Sequence, residues 1–376
     1  MSSPQAIPTL TYGEFSRALH DRAASDDRVI KAQVELTNRC NLHCRHCYTD
    51  PYNTPESIRR ELTVEAWLAL LRSMRDIGVV WLNLTGGDIF MHPHFFTIYE
   101  AAHRHGFLVQ LYTNGTLFTR AIVQRLERMP PFTLDVSVHT VDEGRFDWFT
   151  QVPGSFRAFI RGMELLRRSP LPLSFKTKAM NWNQDELPAI QAFVESFDQS
   201  FGYTTSLSPR LNGDCSPLEF RLAPRQVTQL EGIDQSCSAS WLSRGGEATA
   251  GAPPDRLYRC GCGTDTIHVN AWGELGTCTM QYEHRASLRD FSLREAIDRV
   301  FTAVRAARYQ SMSPCRTCAI YKFCDKKPDE ARRECGSVEA PIAYNCDLAV
   351  GRATALTGTP VPHPLQELIN LRGTDE

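Results

Sequence analysis

No stretch of this sequence reads as a membrane span or a secretion signal. Its apolar runs, VVWL among them, are far too short to cross a bilayer, and the opening residues MSSPQAIPTLTYGEFSRALHDR show no basic segment followed by an apolar one. Blocks of lysine and arginine are missing too, short runs such as LRRS aside. With a formal net charge of -2 and a pI near 6.6, the chain carries no electrostatic footprint for nucleic acid or an anionic membrane surface. These absences predict a cytoplasmic protein with neither partner. There is no internal repeat of fixed period and no low-complexity tract.

What is present is apolar content for a large core, 42% of 376 residues, and thirteen cysteines. In a reducing compartment so many thiols argue for metal ligation rather than a disulfide framework. From residue 31 to about 209, strand-like runs alternate with amphipathic helical runs. The strand candidates are AQVEL, VVWLNL, FLVQLY, FTLDVSV, LSFKTK and YTTSLS. Between them, Thr63 reads as an N-cap, Gly78 and Gly106 fall just past helix ends, and Asp185 opens another helix. The pattern predicts an α/β fold, a partial TIM-type barrel or open sheet of six parallel strands, with ligands gathered at the carboxyl ends of the strands. Past residue 215 the alternation fades. The expected divisions are an N-terminal extension 1–30, a core 31–215, a linker region 216–254, a cysteine-rich domain 255–350 stapled by metal, and a loosely held tail 351–376.

Directly after the first strand, TNRCNLHCRHCYTDP places Cys40, Cys44 and Cys47 in a C-x3-C-x2-C run with no fourth cysteine nearby. Two readings fit the spacing. One is a structural zinc site completed by His43 or His46. The other is a [4Fe–4S] cluster with three protein ligands and one open iron.

The run, its place after strand one, and the motifs that follow resemble the radical S-adenosylmethionine (SAM) superfamily. TGGD, Thr85–Asp88, ends the second strand where that family holds the amino group of SAM. The resemblance implies close backbone approach at Gly86 and Gly87 and a charged contact from Asp88, which stands where the family usually has the longer Glu. TNG (Thr113–Gly115) and SVH (Ser137–His139) end the third and fourth strands, and the resemblance turns Asn114 and Ser137 toward the ribose and carboxylate of SAM. His46 takes the family position of an aromatic residue against the adenine; read alone, it is equally a solvated loop residue. The implied activity is reductive cleavage of SAM to methionine and a 5′-deoxyadenosyl radical, which abstracts hydrogen from a substrate C–H bond. The implied electron source is an external donor such as flavodoxin or ferredoxin.

Further on, Cys262, Gly273-x4-Cys278, Cys315-x2-Cys318-x5-Cys324 and Cys346 resemble the SPASM extension of radical SAM enzymes, which carries two auxiliary [4Fe–4S] clusters. The family's next cysteine after Cys324 falls on Pro328 here, so Cys335 is the expected substitute. The implied ligand sets are Cys260, Cys262, Cys278 and Cys335 for the first, and Cys315, Cys318, Cys324 and Cys346 for the second, three clusters in all. Spacing alone also fits two structural zinc sites.

The chain looks most like SPASM enzymes that modify ribosomally synthesised precursor peptides by thioether or carbon–carbon crosslinking or by epimerisation. About thirty residues precede the first strand, fewer than a winged-helix leader-binding domain needs, so a separate leader-binding protein or the barrel itself is expected to read a leader. The alternatives are a sugar or aminocyclitol epimerase or dehydrogenase, and a zinc-binding interaction protein. Cys215, in LNGDCSPL beyond the sixth strand, reads either as a small buried apolar residue or as a hydrogen donor to a substrate radical. Cys237, in DQSCSAS, has less reason to face a pocket.

Overall fold

The structure, a computed structural model, describes residues 11–49, 53–233, 241 and 255–365. All six expected strands form: β1 (Lys31–Thr37), β2 (Trp81–Gly86), β3 (Leu108–Thr113), β4 (Thr133–Ser137), β5 (Leu173–Lys178) and β6 (Tyr203–Thr204). They lie side by side in chain order, every pair parallel. The helices are α1 (Tyr12–Ser25), α2 (Pro55–Arg59), α3 (Val64–Ile77), α4 (Phe95–Arg104), α5 (Arg120–Arg128), α6 (Glu143–Thr150), α7 (Ser155–Arg167), α8 (Leu187–Glu195), α9 (Pro224–Ile233), α10 (Leu293–Ala306), α11 (Pro328–Cys335) and α12 (Ala343–Thr357). Thr63 caps α3 by accepting from Ala66 N, and Gly78 ends it at φ 94°, a left-handed turn suited to glycine. Among the described residues, no helix is long and apolar enough to cross a membrane.

Alternation along the strands separates the two faces of this partial barrel. Ala32, Val34, Leu82, Leu84, Val109, Leu111, Leu134 and Val136 are fully buried apolar residues on one set of positions. The alternate positions are polar: Gln33, Glu35, Asn83, Thr85, Gln110, Tyr112, Asp135, Ser137, Lys176 and Lys178. Parallel strands are usually apolar on both faces. Here the polar face is satisfied from within, since Asp135 accepts from Gln110 at 2.6 Å and pairs with Lys176 at 2.9 Å, and Tyr48 donates to Glu35 at 2.9 Å.

Three expectations need correction. YTTSLS pairs with β5 only through Tyr203 and Thr204; beyond them the chain leaves the sheet to reach the cysteine loop. The cysteine-rich region is not a separate body, because β7 (Thr266–Val269) adds parallel to β1 and carries β8 (Glu274–Gly276) and β9 (Ala286–Ser287) antiparallel beyond it. Nor is the chain loose from residue 351: Gly351–Thr357 completes α12, and buried Arg352 pairs with Glu231 at 2.6 Å and Asp325 at 3.2 Å. The linker region begins with ordered α9, while residues 234–240 and 242–254, including Cys237, lie outside the described residues. The N-terminal extension contributes α1, whose His20 stacks on Trp81 at 5.1 Å, at the amino end of β2 and so opposite the strand ends that carry the motifs.

Candidate active site

The carboxyl ends of β1 to β5 open into one cavity of about 400 Å³. Cys40, Cys44 and Cys47 all line it, together with His46, Tyr48, Thr85, Gly86, Gly87, Tyr112, Asn114, Ser137, His139 and Lys178. Of the residues expected here from sequence, only Asp88 and Cys215 are missing from this wall.

The cysteine loop is held from several sides. Its backbone hangs on the end of α6, where His43 N donates to Thr150 O at 2.9 Å and Arg45 N to Phe149 O at 3.0 Å. From the other side Arg210, nearly buried, donates to the carbonyls of Cys47 at 3.0 Å and Arg45 at 3.4 Å, while its Nε is braced by Asp214 at 2.9 Å. Leu211 N donates to Tyr48 O at 2.8 Å, so the irregular segment after β6 is tied to the loop. Arg210 lies far from the cysteines in sequence, and no local motif marks it.

The glycines of TGGD line the cavity and also have a structural task. A Cβ on Gly86 would stand 2.2 Å from Thr37 O, and one on Gly87 would stand 2.3 Å from Arg39 O. Both are needed so that the end of β2 can press against the backbone leading into the cysteine loop, with Gly87 N and Asp88 N donating to Thr37 O and Arg39 O. Asp88 is 1% exposed and turns away from the cavity. Its carboxylate accepts from Thr113 Oγ1 at 2.7 Å, Asn114 N at 2.8 Å and Phe90 N at 3.0 Å. Burial raises its pKa against these three hydrogen bonds. In this arrangement Asp88 positions Asn114, whose side chain reaches Asn41 Oδ1 at 3.0 Å and Cys40 Sγ at 3.8 Å.

His46 is neither free nor solvated: its ring lies 4.8 Å from both His139 and Phe149, and its buried Nδ1 has no protein partner. His139 Nδ1 accepts from Lys178 N at 3.1 Å, which leaves the ring's proton on Nε2. Burial pushes His139 down to about 3 and Lys178 down to about 8.

Cys215 matches neither expectation. It is exposed, touches Gly213 O at 3.6 Å and Arg333 O at 3.9 Å, and does not line the cavity.

The C-terminal cysteines gather in two places. Cys315, Cys318, Cys324 and Cys346 line one small cavity with Tyr321. Burial pushes Cys324 and Cys346 each up to about 12. Cys262 Sγ lies 3.8 Å from Cys278 Sγ, and its thiol is raised first by its hydrogen bond with Cys260 and then by that with Cys278. Cys335, at the end of α11, is exposed, and the charges felt by its thiol belong to Glu334, Lys326, Cys215 and Arg221.

Among the described residues no three His, Cys, Asp or Glu side chains are drawn together tightly enough to hold a single metal ion. The fit to an iron–sulfur group rests on the donor set: three thiols on one cavity wall, with Cys40 Sγ already accepting from Leu42 N at 3.5 Å and from Asn114.

The family model of the radical SAM superfamily matches residues 34–191. The AdoMet-dependent heme synthase of Methanosarcina barkeri (strain Fusaro / DSM 804) is 33% identical over 153 residues, covering 41% of this chain and 43% of that protein. The antilisterial bacteriocin subtilosin biosynthesis protein AlbA of Bacillus subtilis (strain 168) is 30% identical over 166 residues, covering 44% of this chain and 34% of that protein. The chain thus spans less than half the length of these two curated relatives. Streptococcus suis SuiB bound to precursor peptide SuiA superposes with a TM-score of 0.62 at 13% identity, covering 90% of this chain and 82% of that one. At such identity the likeness is one of fold.

Proposed function

We propose, with residues 34–191 as a radical SAM domain, that this enzyme cleaves SAM reductively and uses the resulting radical on a C–H bond of a precursor peptide. The observation that carries the reading is the cavity itself. Three thiols from one loop, the Gly86–Gly87 edge, Asn114, Ser137 and the half-buried His46 ring share it. A [4Fe–4S] cluster held by Cys40, Cys44 and Cys47 would supply the electron that breaks the sulfonium bond. Around it, Asn114 and Ser137 offer hydrogen bonds at the strand ends, and His46 and Phe149 offer flat faces for a base. The aromatic wall continues through Trp182, 4.7 Å from Phe149, which keeps water from that side.

A peptide substrate is supported by AlbA, a bacteriocin biosynthesis protein, and by the fold shared with SuiB in complex with its precursor peptide. The heme synthase relative favours the second reading, a small-molecule substrate. Two auxiliary clusters complete the proposal, one on Cys315, Cys318, Cys324 and Cys346, the other anchored by Cys260, Cys262 and Cys278 with Cys335 as its more exposed fourth ligand. A flavodoxin or ferredoxin would deliver electrons, and a separate protein or the barrel itself would read the leader.

Anaerobic reconstitution tests this. The wild type should turn brown, hold roughly twelve irons per chain, and release 5′-deoxyadenosine from SAM and dithionite. Replacing Cys40, Cys44 and Cys47 together with alanine should remove one cluster's iron and all of that product. SAM cleavage surviving in the triple variant would overturn the assignment. Cys262→Ala should lose auxiliary iron outright, and Cys335→Ala should leave it bound but labile to a chelator.

A further inference from the structure

The charge of the cavity wall is one-sided. Apart from the three cysteines and two histidines, its ionisable lining side chains are Tyr48, Tyr112, Lys178 and Lys327, and among the described residues no Asp or Glu lines it. The tyrosines carry no charge near neutral pH, since burial raises both. The two ammonium groups come from different regions. Lys178 ends β5, and Lys327 stands at the N-cap of α11 in the cysteine-rich region.

Each lysine is incompletely matched. Lys178 Nζ donates to Ser206 O at 2.8 Å, a neutral acceptor. Lys327 Nζ reaches both oxygens of Glu330, at 3.3 and 3.4 Å, but Glu330 also accepts from Ser208. The carboxylates that act on Lys327, Glu330 and Asp325, both lie behind the wall, so among the described residues none faces the two ammonium groups from inside the cavity. A carboxylate entering the cavity would accept charged hydrogen bonds from both lysines. Neighbouring strands lie about 4.8 Å apart, so along the curved sheet β5 is three strands, a path of roughly 14 Å, from β2, whose glycines adjoin the cysteine loop.

We propose that Lys178 and Lys327 form a carboxylate subsite for the substrate, so that the peptide segment entering the cavity carries a glutamate or aspartate side chain or a free C-terminus. The inference rests on the peptide reading above and names its substrate chemistry. It also assigns the cysteine-rich region a direct share in substrate binding through Lys327.

Amine footprinting of the reconstituted holoenzyme tests the subsite without turnover. Acetylation of Lys178 and Lys327 by an N-hydroxysuccinimide ester is followed by mass spectrometry with SAM present and no reductant. The probes are acetyl-Gly-Glu-Gly-amide and acetyl-Gly-Gln-Gly-amide at equal millimolar concentration. The Glu peptide should slow both lysines about fivefold and the Gln peptide should not. Lys327→Gln should abolish protection of Lys178, and Lys327→Arg should keep it. Equal effects of the two peptides, or none, would overturn the subsite. Full protection by SAM alone would assign the carboxylate to the cofactor and overturn it equally. Failure of the radical SAM reading shows separately, as absence of 5′-deoxyadenosine from the wild type.

Discussion

The cysteine loop after β1 and the cysteine-rich C-terminal region use the same residue in opposite ways. In the first, three thiols fall within eight residues, and the barrel holds them by main-chain hydrogen bonds to α6 and by Arg210. In the second, eight thiols are scattered from Cys260 to Cys346; β7, β8 and α10 of this region join the main core through Ile267, Leu275 and Val300, while Cys318 and Cys324 pack on a smaller cluster of Ile320, Phe323, Ala349 and Ala353. Polar ties add to that packing. Asp329 accepts from Tyr258 OH at 2.8 Å and from the backbone N–H groups of Tyr282 and Glu283, and Arg352 spans Glu231 and Asp325. The first cysteines share one loop and need only to be steered, whereas the later ones come from distant parts of the chain and are stitched by polar ties as well as by packing.

The contrast can be broken from either end. Arg352→Met should be the most damaging change, because it removes the buried guanidinium that pairs with both Glu231 and Asp325; breaking such a pair costs about 3–5 kcal/mol. Thermal melting of the variant should fall, and auxiliary iron should leave before the iron of the first loop. Equal loss at both places would mean that the two regions are not held independently.

Gly87→Ala should do the reverse. Its Cβ would meet backbone at 2.3 Å, which no side-chain motion relieves. The cost should reach about 3 kcal/mol, with selective loss of iron from Cys40, Cys44 and Cys47 and retention of auxiliary iron. Retained first-loop iron would show that the β2 edge does not set the loop.

The smallest effect is in pH. His139 is neutral in the fold, with a pKa of about 3, and is faced by His46 and Lys178. An unfolded histidine takes a proton near pH 6.5, so the stability it contributes is complete above that pH. Stability is lost as pH falls from there toward 3, at up to about 1.4 kcal/mol per unit. His46 is also held down by burial and adds in the same direction. Urea unfolding at about pH 6.5 and about pH 5 should show a shallower loss for His139→Phe than for the wild type. Identical slopes would place the barrel mouth outside the acid-sensitive part of the molecule.

Much of the fold was legible because its signals are local. The alternating apolar runs became β1 to β5 within a residue or two, Thr63 and Gly78 bounded α3 as their chemistry requires, and the spacing of Cys40, Cys44 and Cys47 marked their loop. The sixth strand was overread, since β-forming residues continue to Ser208 but find only two pairing partners. The tail was underread, since a polar, small-residue helix such as α12 has little amphipathic pattern and is ordered by Arg352.

By itself the sequence determined the strand–helix order, the helix caps and the first cysteine loop, all of which depend on neighbours a few residues apart. The tertiary structure alone decided the rest. It turned Asp88 toward Thr113 and Asn114, gave Gly86 and Gly87 a backbone to press against, and brought Arg210 onto the carbonyls of the cysteine loop. It paired β7 with β1 and set Lys327 in the same cavity as Lys178. Contacts between residues tens to hundreds of positions apart leave no periodicity to read; they exist only once loop-closure entropy has been overcome by the packing of the whole barrel.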